Sequence, residues 1–280
     1  MTSLKDYLDE QTVLINTSAF IADDPVQFPR RYSKLQDIEI TAFVIATITW
    51  GNRKMILKSA ERLLSKMGDS PYGFVMNDGW KTLEEANIHR TFFEPDLAWM
   101  LRGFKHILER SESLESFLNA KLSDKTSMNA WDIAEILYTE MLQANAGIPN
   151  SKCFPSRHDQ SALKRINLAL RWLVRNDGIV DLGVWTSISP SQLYIPLDIH
   201  VGSTARQLGL LTRKANDRKA VEELTAQLRH FCPEDPIKYD FALFGIGINS
   251  KNFFSHGCYF NYYIRTNMTI IFAYVTIVFT

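Results

Sequence analysis

Hydrophobic side chains recur at helical spacing along most of the chain. Apolar residues three or four positions apart mark one face of an amphipathic helix, whereas alternation at every second position marks a strand. The helical spacing dominates, and few alternating runs compete with it. After an amphipathic segment near the N-terminus, it predicts helices over 38–48, 54–66, 95–110, 113–122, 130–143, 162–175, 199–208, 217–231 and 236–244. Asp37 is the predicted N-cap of the helix 38–48. The sequence therefore predicts an all-α fold.

We expect residues 1–250 to form one helical unit of two interleaved lobes with a cleft between them. The chain has 280 residues, which is long enough to bury a full core. The polar stretch 143–160 is typical of a connection between the lobes. Residues 251–280 form an atypical apolar tail, whose clean apolar run is shorter than the roughly 20 residues that cross a bilayer. No membrane association is expected unless this tail acts as an anchor.

The composition narrows the function classes only slightly. Hydrophobic residues make up 46% and charged residues 22% of the chain, as in ordinary globular proteins. Lys+Arg and Asp+Glu both number 31, which gives no support for wholesale nucleic-acid binding but leaves a local basic face open. Cys153, Cys232 and Cys258 are too scattered for a disulfide framework or an iron–sulfur site. A cytoplasmic monomer without metal or cofactor is expected.

A carboxylate is predicted at the entrance of one helix. Pro196 is excluded from a helix interior and biases Ile195 toward an extended conformation. The run 199–208 has helical spacing, and Gly209 ends it. Asp198 is therefore expected at the N-cap, where backbone N–H groups and the helix dipole favour an ionised carboxylate. An ordinary capping aspartate is the alternative interpretation.

A lysine lies near the start of the helix that precedes this segment. Helix 162–175 carries apolar residues on one face and the cations Lys164, Arg171 and Arg175 on another. An irregular connection then leads to Asp198. The alternative for Lys164 is a solvated surface residue, as most lysines are.

This order of elements resembles a known enzyme superfamily. A lysine-bearing helix, a hairpin-like connection and a helix opened by Pro-x-Asp-x-His-Val resemble the DNA glycosylases that carry a helix–hairpin–helix and a Gly/Pro-Asp motif. Residues 39–64, an apolar helix, a polar turn and a second helix, are similar to the part of those enzymes near the extruded base. Over about residues 1–248 the chain also resembles a bacterial family of conserved proteins of unknown function, through the segments Trp50 to Lys54, His89 to Phe92, Asp198 to Val201 and Asp235 to Gly245.

The resemblance to the glycosylases implies roles for two residues. Lys164 and Asp198 are separated (198 − 164 = 34) much as the corresponding pair is in the archaeal 8-oxoguanine glycosylases. The resemblance makes Lys164 the nucleophile, activated by desolvation or by Arg165, and makes Asp198 the carboxylate that stabilises positive charge on the sugar. If Lys164 points to solvent, Asp198 would position a water and give base removal alone. The usual Leu-Pro-Gly-Val-Gly hairpin is absent, and no four-cysteine cluster follows Asp198, which excludes an iron–sulfur version.

Other residues are candidates for nucleic-acid binding. Trp50 and Asn52 lie at a turn between two helices, where they could stack on a base and read it; a capping Asn beside a core Trp is the alternative. His200 could contact a phosphate or bond locally. Several cations could line a phosphate track, although each cluster is equally typical of a solvated face: Arg30, Arg31, Lys34, Arg53, Lys54, Lys58, Arg165, Arg171 and Arg175.

These observations leave three hypotheses for the function. The first is a DNA glycosylase with abasic-site (AP) lyase activity, which uses Lys164 and Asp198 on a lesion-containing duplex. The second is a catalytically inactive nucleic-acid-binding protein on the same scaffold, because fold does not determine function. The third is an enzyme that acts on a nucleoside or on a base in RNA. A buried Lys164 that is flanked by cations and faces Asp198 across a cleft would favour the first hypothesis.

Overall fold

The computed structural model describes residues 3–122, 129–155 and 158–253 and confirms the all-α fold. The α-helices that these residues form are, in chain order, α1 (Leu4–Ile15), α2 (Ser18–Ala22), α3 (Leu35–Thr47), α4 (Arg53–Met67), α5 (Pro71–Met76), α6 (Glu94–Leu108), α7 (Leu114–Lys121), α8 (Ala130–Ala144), α9 (Lys164–Val174), α10 (Ile199–Gln207), α11 (Arg218–Phe231) and α12 (Tyr239–Phe253). Short 3₁₀ turns join several of them.

The helix that was predicted from residue 38 begins earlier than expected. Asp37 was the expected cap, but α3 starts at Leu35 and has Lys34 at its N-cap. The Asp37 carboxylate instead accepts hydrogen bonds from the Ser70 hydroxyl at 3.0 Å and the Tyr72 N–H at 2.7 Å, so it fixes the start of α5. Most of the remaining predicted helices match within a few residues, whereas the last continues to Phe253, well beyond the predicted end at 244.

A small β-hairpin is present that the sequence pattern did not predict. Strand β1 (Asn87–His89) pairs antiparallel with β2 (Phe92–Phe93). Strands of three and two residues are too short to show an alternating pattern. The hairpin packs on α4 and brings His89 against the turn between α3 and α4.

The core surrounds α3, a long and largely apolar helix of the first half. Eleven of its 13 residues are buried, and it packs against α9, α5 and the turn at Pro29–Arg31. Helix α12 packs against α1 and α10, which brings the second half of the chain onto the first helix. Buried side chains from both halves belong to one continuous cluster, and the division into two lobes stays a prediction.

The predicted connection and tail fall partly outside the described residues. The chain between α8 and α9 is largely irregular, as expected for 143–160, although residues 156–157 are not described. The predicted tail, 251–280, overlaps only the last residues of α12. Within the described residues, no helix combines the length and apolarity that crossing a membrane requires.

Candidate active site

Asp198 is the N-cap of α10, as the sequence predicted. Its extended backbone (φ −113°, ψ −173°) precedes the helix, and its Oδ1 accepts the Val201 N–H at 2.9 Å. The Asn216 side-chain amide donates to the Asp198 carbonyl at 3.1 Å and holds the cap from the following loop. Oδ2 takes no part in capping, which leaves it free to face Lys164.

Lys164 is the first residue of α9, and its ammonium faces this carboxylate. Lys164 Nζ lies 3.4 Å from Asp198 Oδ2 and donates a hydrogen bond to the Thr49 carbonyl at 3.1 Å. The lysine side chain is 30% exposed and the aspartate side chain 21%. Both groups are therefore reachable from solvent while they are held by the protein. The structure brings together the two residues that the sequence singled out.

The pair lies on the wall of a cavity of about 780 Å³. The cavity is bounded by the turn between α3 and α4, by α9, α10 and α12, and by the 3₁₀ turn after α2. Its volume falls in the range of about 300–1,000 Å³ that is typical of small-molecule sites. Aromatic and charged side chains share the wall, and they are Phe20, Asp24, Trp50, Arg53, Arg90, Lys164, Arg171, Trp172, Asp198, His200, Asp240, Phe241 and Phe244.

Two further carboxylates on this wall were not assigned a role from the sequence. Asp24 caps the 3₁₀ turn through the Val26 N–H at 3.0 Å, and burial raises its pKa although nearby Arg171 opposes the shift. Asp240 on α12 is 5% exposed, and burial raises its pKa to about 6 against the effect of Arg171, with repulsion from Asp198 adding to the rise. Asp240 belongs to a segment that carried the family resemblance, but only the packing of α12 against α10 reveals its proximity to Asp198.

The structure corrects the expectation that Arg171 and Arg175 line a phosphate track. Both residues are 4% exposed. Arg171 bonds Asp181 Oδ1 through Nε at 3.1 Å and Asp240 Oδ2 at 2.5 Å. Arg175 bonds Asp181 Oδ2 at 2.9 Å and Asp235 at 2.8 Å. Carboxylates of the protein already neutralise these buried guanidinium groups, so neither is available to a phosphate.

The turn between α3 and α4 places Trp50 on the cavity wall. Trp50 is half-buried and meets the His89 ring edge-on, with centroids 5.1 Å apart. The Asn52 side chain accepts the Met55 N–H at 3.3 Å and caps α4, which is the alternative that the sequence left open. Trp50 therefore has a position suited to stacking on a bound base, whereas Asn52 has a local structural role.

Some of the other predicted binding residues lie on the cavity wall and others do not. The Arg53 guanidinium lies 4.8 Å from the centre of the Phe244 ring and 3.7 Å from Asp24, on the wall. His200 is half-buried and also on the wall, whereas Lys54 is exposed on α4 and outside it. The Arg165 guanidinium donates to the Thr47 and Lys152 carbonyls and lies over the Trp50 ring.

Two other basic residues from the expected track are also occupied. Arg30 donates to the Val180 carbonyl at 2.9 Å, and Arg31 forms a bidentate pair with Glu61. In the described parts of the chain no group of three or more His, Cys, Asp or Glu side chains is arranged to hold a metal. Cys153 is buried and Cys232 half-exposed, while Cys258 lies outside the described residues.

Fold and site together define an all-α protein with a lysine–carboxylate pair on the wall of an aromatic cavity. Residues 24–249 match the family described as "Protein of unknown function (DUF2400)", and the chain belongs to that family. The matched region contains every residue of the cavity wall except Phe20. No curated protein and no solved structure matched the chain.

Proposed function

We propose that this protein is a DNA base-excision glycosylase with an AP-lyase step carried by Lys164. The observation that carries the proposal is the approach of Lys164 Nζ to within 3.4 Å of Asp198 Oδ2 on the wall of a cavity of about 780 Å³. This is the arrangement that the resemblance to the glycosylases implied for a nucleophile and a charge-stabilising carboxylate. A Lys164 side chain directed to solvent would have favoured the second hypothesis, a catalytically inactive nucleic-acid-binding protein on the same scaffold.

The cavity suits a nucleobase that has left the helical stack. Extrusion of a base costs a few kcal/mol, which stacking and edge hydrogen bonds in a pocket offset. Trp50, Phe20 and Phe244 present aromatic surface on the wall, and Asp24 and Asp240 present polar atoms. A flipped base would therefore find both stacking surfaces and hydrogen-bonding groups, and its sugar would lie toward Lys164 and Asp198.

The reaction follows from the positions of these two groups. Lys164 gives up one proton, and its nitrogen lone pair then forms a bond to C1′ of the sugar. The C1′–N bond to the base breaks, and the base leaves with the electron pair and takes up a proton. Opening of the sugar ring gives a protonated Schiff base, from which loss of a C2′ proton expels the 3′ phosphate. Asp198 is placed to accept the lysine proton and to stabilise positive charge at C1′.

Borohydride trapping tests this chemistry directly. Wild-type protein is mixed with duplexes that carry oxidised, deaminated or abasic sites, and sodium borohydride reduces any Schiff base to a stable adduct. Lys164→Gln should abolish the adduct. Asp198→Asn should slow base release by about a hundredfold or more, the size expected when one electrostatic stabiliser of a transition state is lost. Lys219→Gln, which removes an exposed lysine outside the cavity wall, is the matched control and should behave as wild type.

The other outcomes separate the remaining hypotheses. Base release without an adduct would indicate that Asp198 positions a water and that Lys164 is not the nucleophile. Lesion binding without base release would leave a nucleic-acid-binding protein on this scaffold. Activity confined to free nucleosides or to RNA would identify an enzyme of the third class.

A further inference from the structure

Arg90 lies at the tip of the β1–β2 hairpin in a conformation that arginine rarely adopts. Its φ is +52°, in the left-handed region that favours glycine and asparagine. Non-glycine residues in this region persist where the surrounding structure holds them, and they cluster at binding sites. The hairpin has such a holding structure, because the Asn87 side-chain amide donates to the Arg90 carbonyl at 2.6 Å.

His89, the neighbouring residue, attaches the hairpin to the turn that carries Trp50. The His89 side chain is 1% exposed. Its Nε2 lies 2.8 Å from the Trp50 carbonyl oxygen and its Nδ1 lies 3.0 Å from the Ser59 hydroxyl oxygen. These contacts fix the position of Arg90 relative to the turn at the edge of the cavity.

The Arg90 side chain crosses this turn at Gly51. Gly51 has a φ of +99°, and a Cβ atom there would lie only 2.5 Å from a terminal nitrogen of Arg90. Glycine can adopt the positive φ of this turn, and because it lacks a Cβ atom it leaves room for the Arg90 guanidinium. The side chain reaches the cavity wall in this way although its backbone belongs to the hairpin.

The guanidinium of Arg90 differs from the other cations of the wall because no described residue pairs with it. Among the described residues, Lys164 pairs with Asp198, Arg171 with Asp240, and Arg53 lies 3.7 Å from Asp24. No hydrogen bond or ion pair joins the Arg90 guanidinium to a described residue. The described wall therefore carries four cationic side chains against three carboxylates, and Arg90 is the excess positive charge.

We propose that Arg90 binds the phosphate group of the nucleotide whose base occupies the cavity. The inference rests on the proposed function in that it takes a nucleotide base as the occupant. A planar guanidinium matches the oxygens of a phosphate in a bidentate geometry, and its charge strengthens both hydrogen bonds. The phosphate can belong to a polynucleotide backbone or to a free nucleotide, and the chemistry at Arg90 is the same for both sources.

Binding measurements at several salt concentrations test the proposal. The probe is a fluorescent duplex with one 2′-fluoro-2′-deoxyuridine, which keeps its base but resists cleavage of the glycosidic bond. Arg90→Gly removes the guanidinium and relieves the positive φ, so the hairpin should fold normally. We expect about tenfold weaker binding and a salt slope lower by about 0.9, the value for one lost duplex phosphate contact. Arg90→Lys should keep most of the slope, and Lys219→Gln should match wild type.

Further probes identify the source of the phosphate. Thymidine and thymidine 5′-monophosphate are titrated against wild type and Arg90→Gly. Weaker binding of the monophosphate but not of the nucleoside would show that a single phosphate is sufficient for the contact. Weaker binding of the duplex alone would place the contact on a polynucleotide backbone.

The outcome for Arg90 can be separated from the outcome for catalysis. Unchanged affinities and an unchanged salt slope in Arg90→Gly would overturn the inference even if trapping at Lys164 succeeds. Failure of wild type to bind any of the three probes would overturn it as well. Conversely, a lower slope in Arg90→Gly together with no adduct and no base release would retain the phosphate contact and reject the glycosylase.

Discussion

Removal of the Arg171 guanidinium should destabilise the whole fold. The group is buried between Asp181 at 3.1 Å and Asp240 at 2.5 Å, on the side of α9 that faces α12. Arg171→Met keeps much of the apolar stem but leaves two buried carboxylates without this cation. The sequence suggested a solvated or phosphate-binding arginine, for which the same substitution would have little effect on stability.

The expected magnitude follows from the geometry of the two pairs. Opposite unit charges 4 Å apart attract by about 4 kcal/mol at an effective dielectric constant of 20. Most of this attraction is offset by the cost of taking the charges out of water, but loss of one partner leaves the other unpaired and typically costs about 3–5 kcal/mol. Arg175 still neutralises Asp181, so the loss falls mainly on Asp240. We expect about 3 kcal/mol at pH 8.

The same reasoning predicts that the stability lost in Arg171→Met depends on pH. Burial already raises the pKa of Asp240 to about 6 while Arg171 opposes the rise. Without Arg171 this pKa rises further, so folded Asp240 takes up a proton at acidic pH and avoids the unpaired charge. The cost of Arg171→Met should therefore be smaller at pH 5 than at pH 8.

Urea unfolding followed by far-UV circular dichroism measures these differences. Arg171→Met, Asp240→Asn and the double variant form a cycle, with Lys219→Gln as a surface control. The double variant should lose less stability than the two single losses combined, because both act on one pair. A loss below about 1 kcal/mol in Arg171→Met at pH 8, with a normal unfolding transition, would refute the buried ion pair.

Two further predictions concern buried and capping carboxylates. Burial raises the pKa of Glu39 to about 7, although it accepts hydrogen bonds from the Leu114 and Glu115 N–H groups and the Trp185 indole. Between about pH 4.5 and 7 the folded protein keeps a proton on Glu39 that the unfolded chain has lost, so the contribution of Glu39 to stability should fall over this range and then level off. Glu39→Gln should remove this pH dependence of the free energy of unfolding, measured by urea unfolding. An unchanged pH dependence would exclude Glu39 as its source. Asp198→Asn should keep the cap of α10, whereas Asp198→Ala should lower the free energy of unfolding by about 1 kcal/mol, measured by thermal unfolding. Equal losses of stability in the two variants would show that the charge of Asp198, not its capping hydrogen bond, stabilises the helix.

The sequence predicted the helices well because the apolar periodicity that marks a helix is a local pattern. Segments such as 95–110 and 217–231 show a complete apolar face, and the structure begins and ends them within a residue or two. Asp37 was misassigned because an acidic residue before an apolar run has the pattern of a cap, whereas its actual partners, Ser70 and Tyr72, are distant in sequence. Local patterns cannot reveal a carboxylate that caps a different helix.

The candidate site was predictable only where it depends on one segment. Asp198 could be placed at an N-cap because Pro196 and the following helix are adjacent to it, and the structure confirms that position. The positions of Asp24, Arg90 and Asp240 depend on how separate elements pack, so no spacing along the chain indicates them. Periodicity placed Arg171 correctly on a face of α9, but it could not show that carboxylates cover this face.

The charge balance of the cavity explains why net charge was a poor guide to binding. The chain is neutral overall, with 31 basic and 31 acidic residues, yet most of the cations proposed for a phosphate track already have hydrogen-bond or ion-pair partners in the protein. Electrostatic attraction for a ligand depends on cations that lack partners near the binding surface. On the described cavity wall that condition is met by Arg90, which lies beside the turn that carries Trp50. A neutral chain can therefore present one unneutralised guanidinium where a nucleotide would enter, and binding should depend on that residue more than on the number of basic residues.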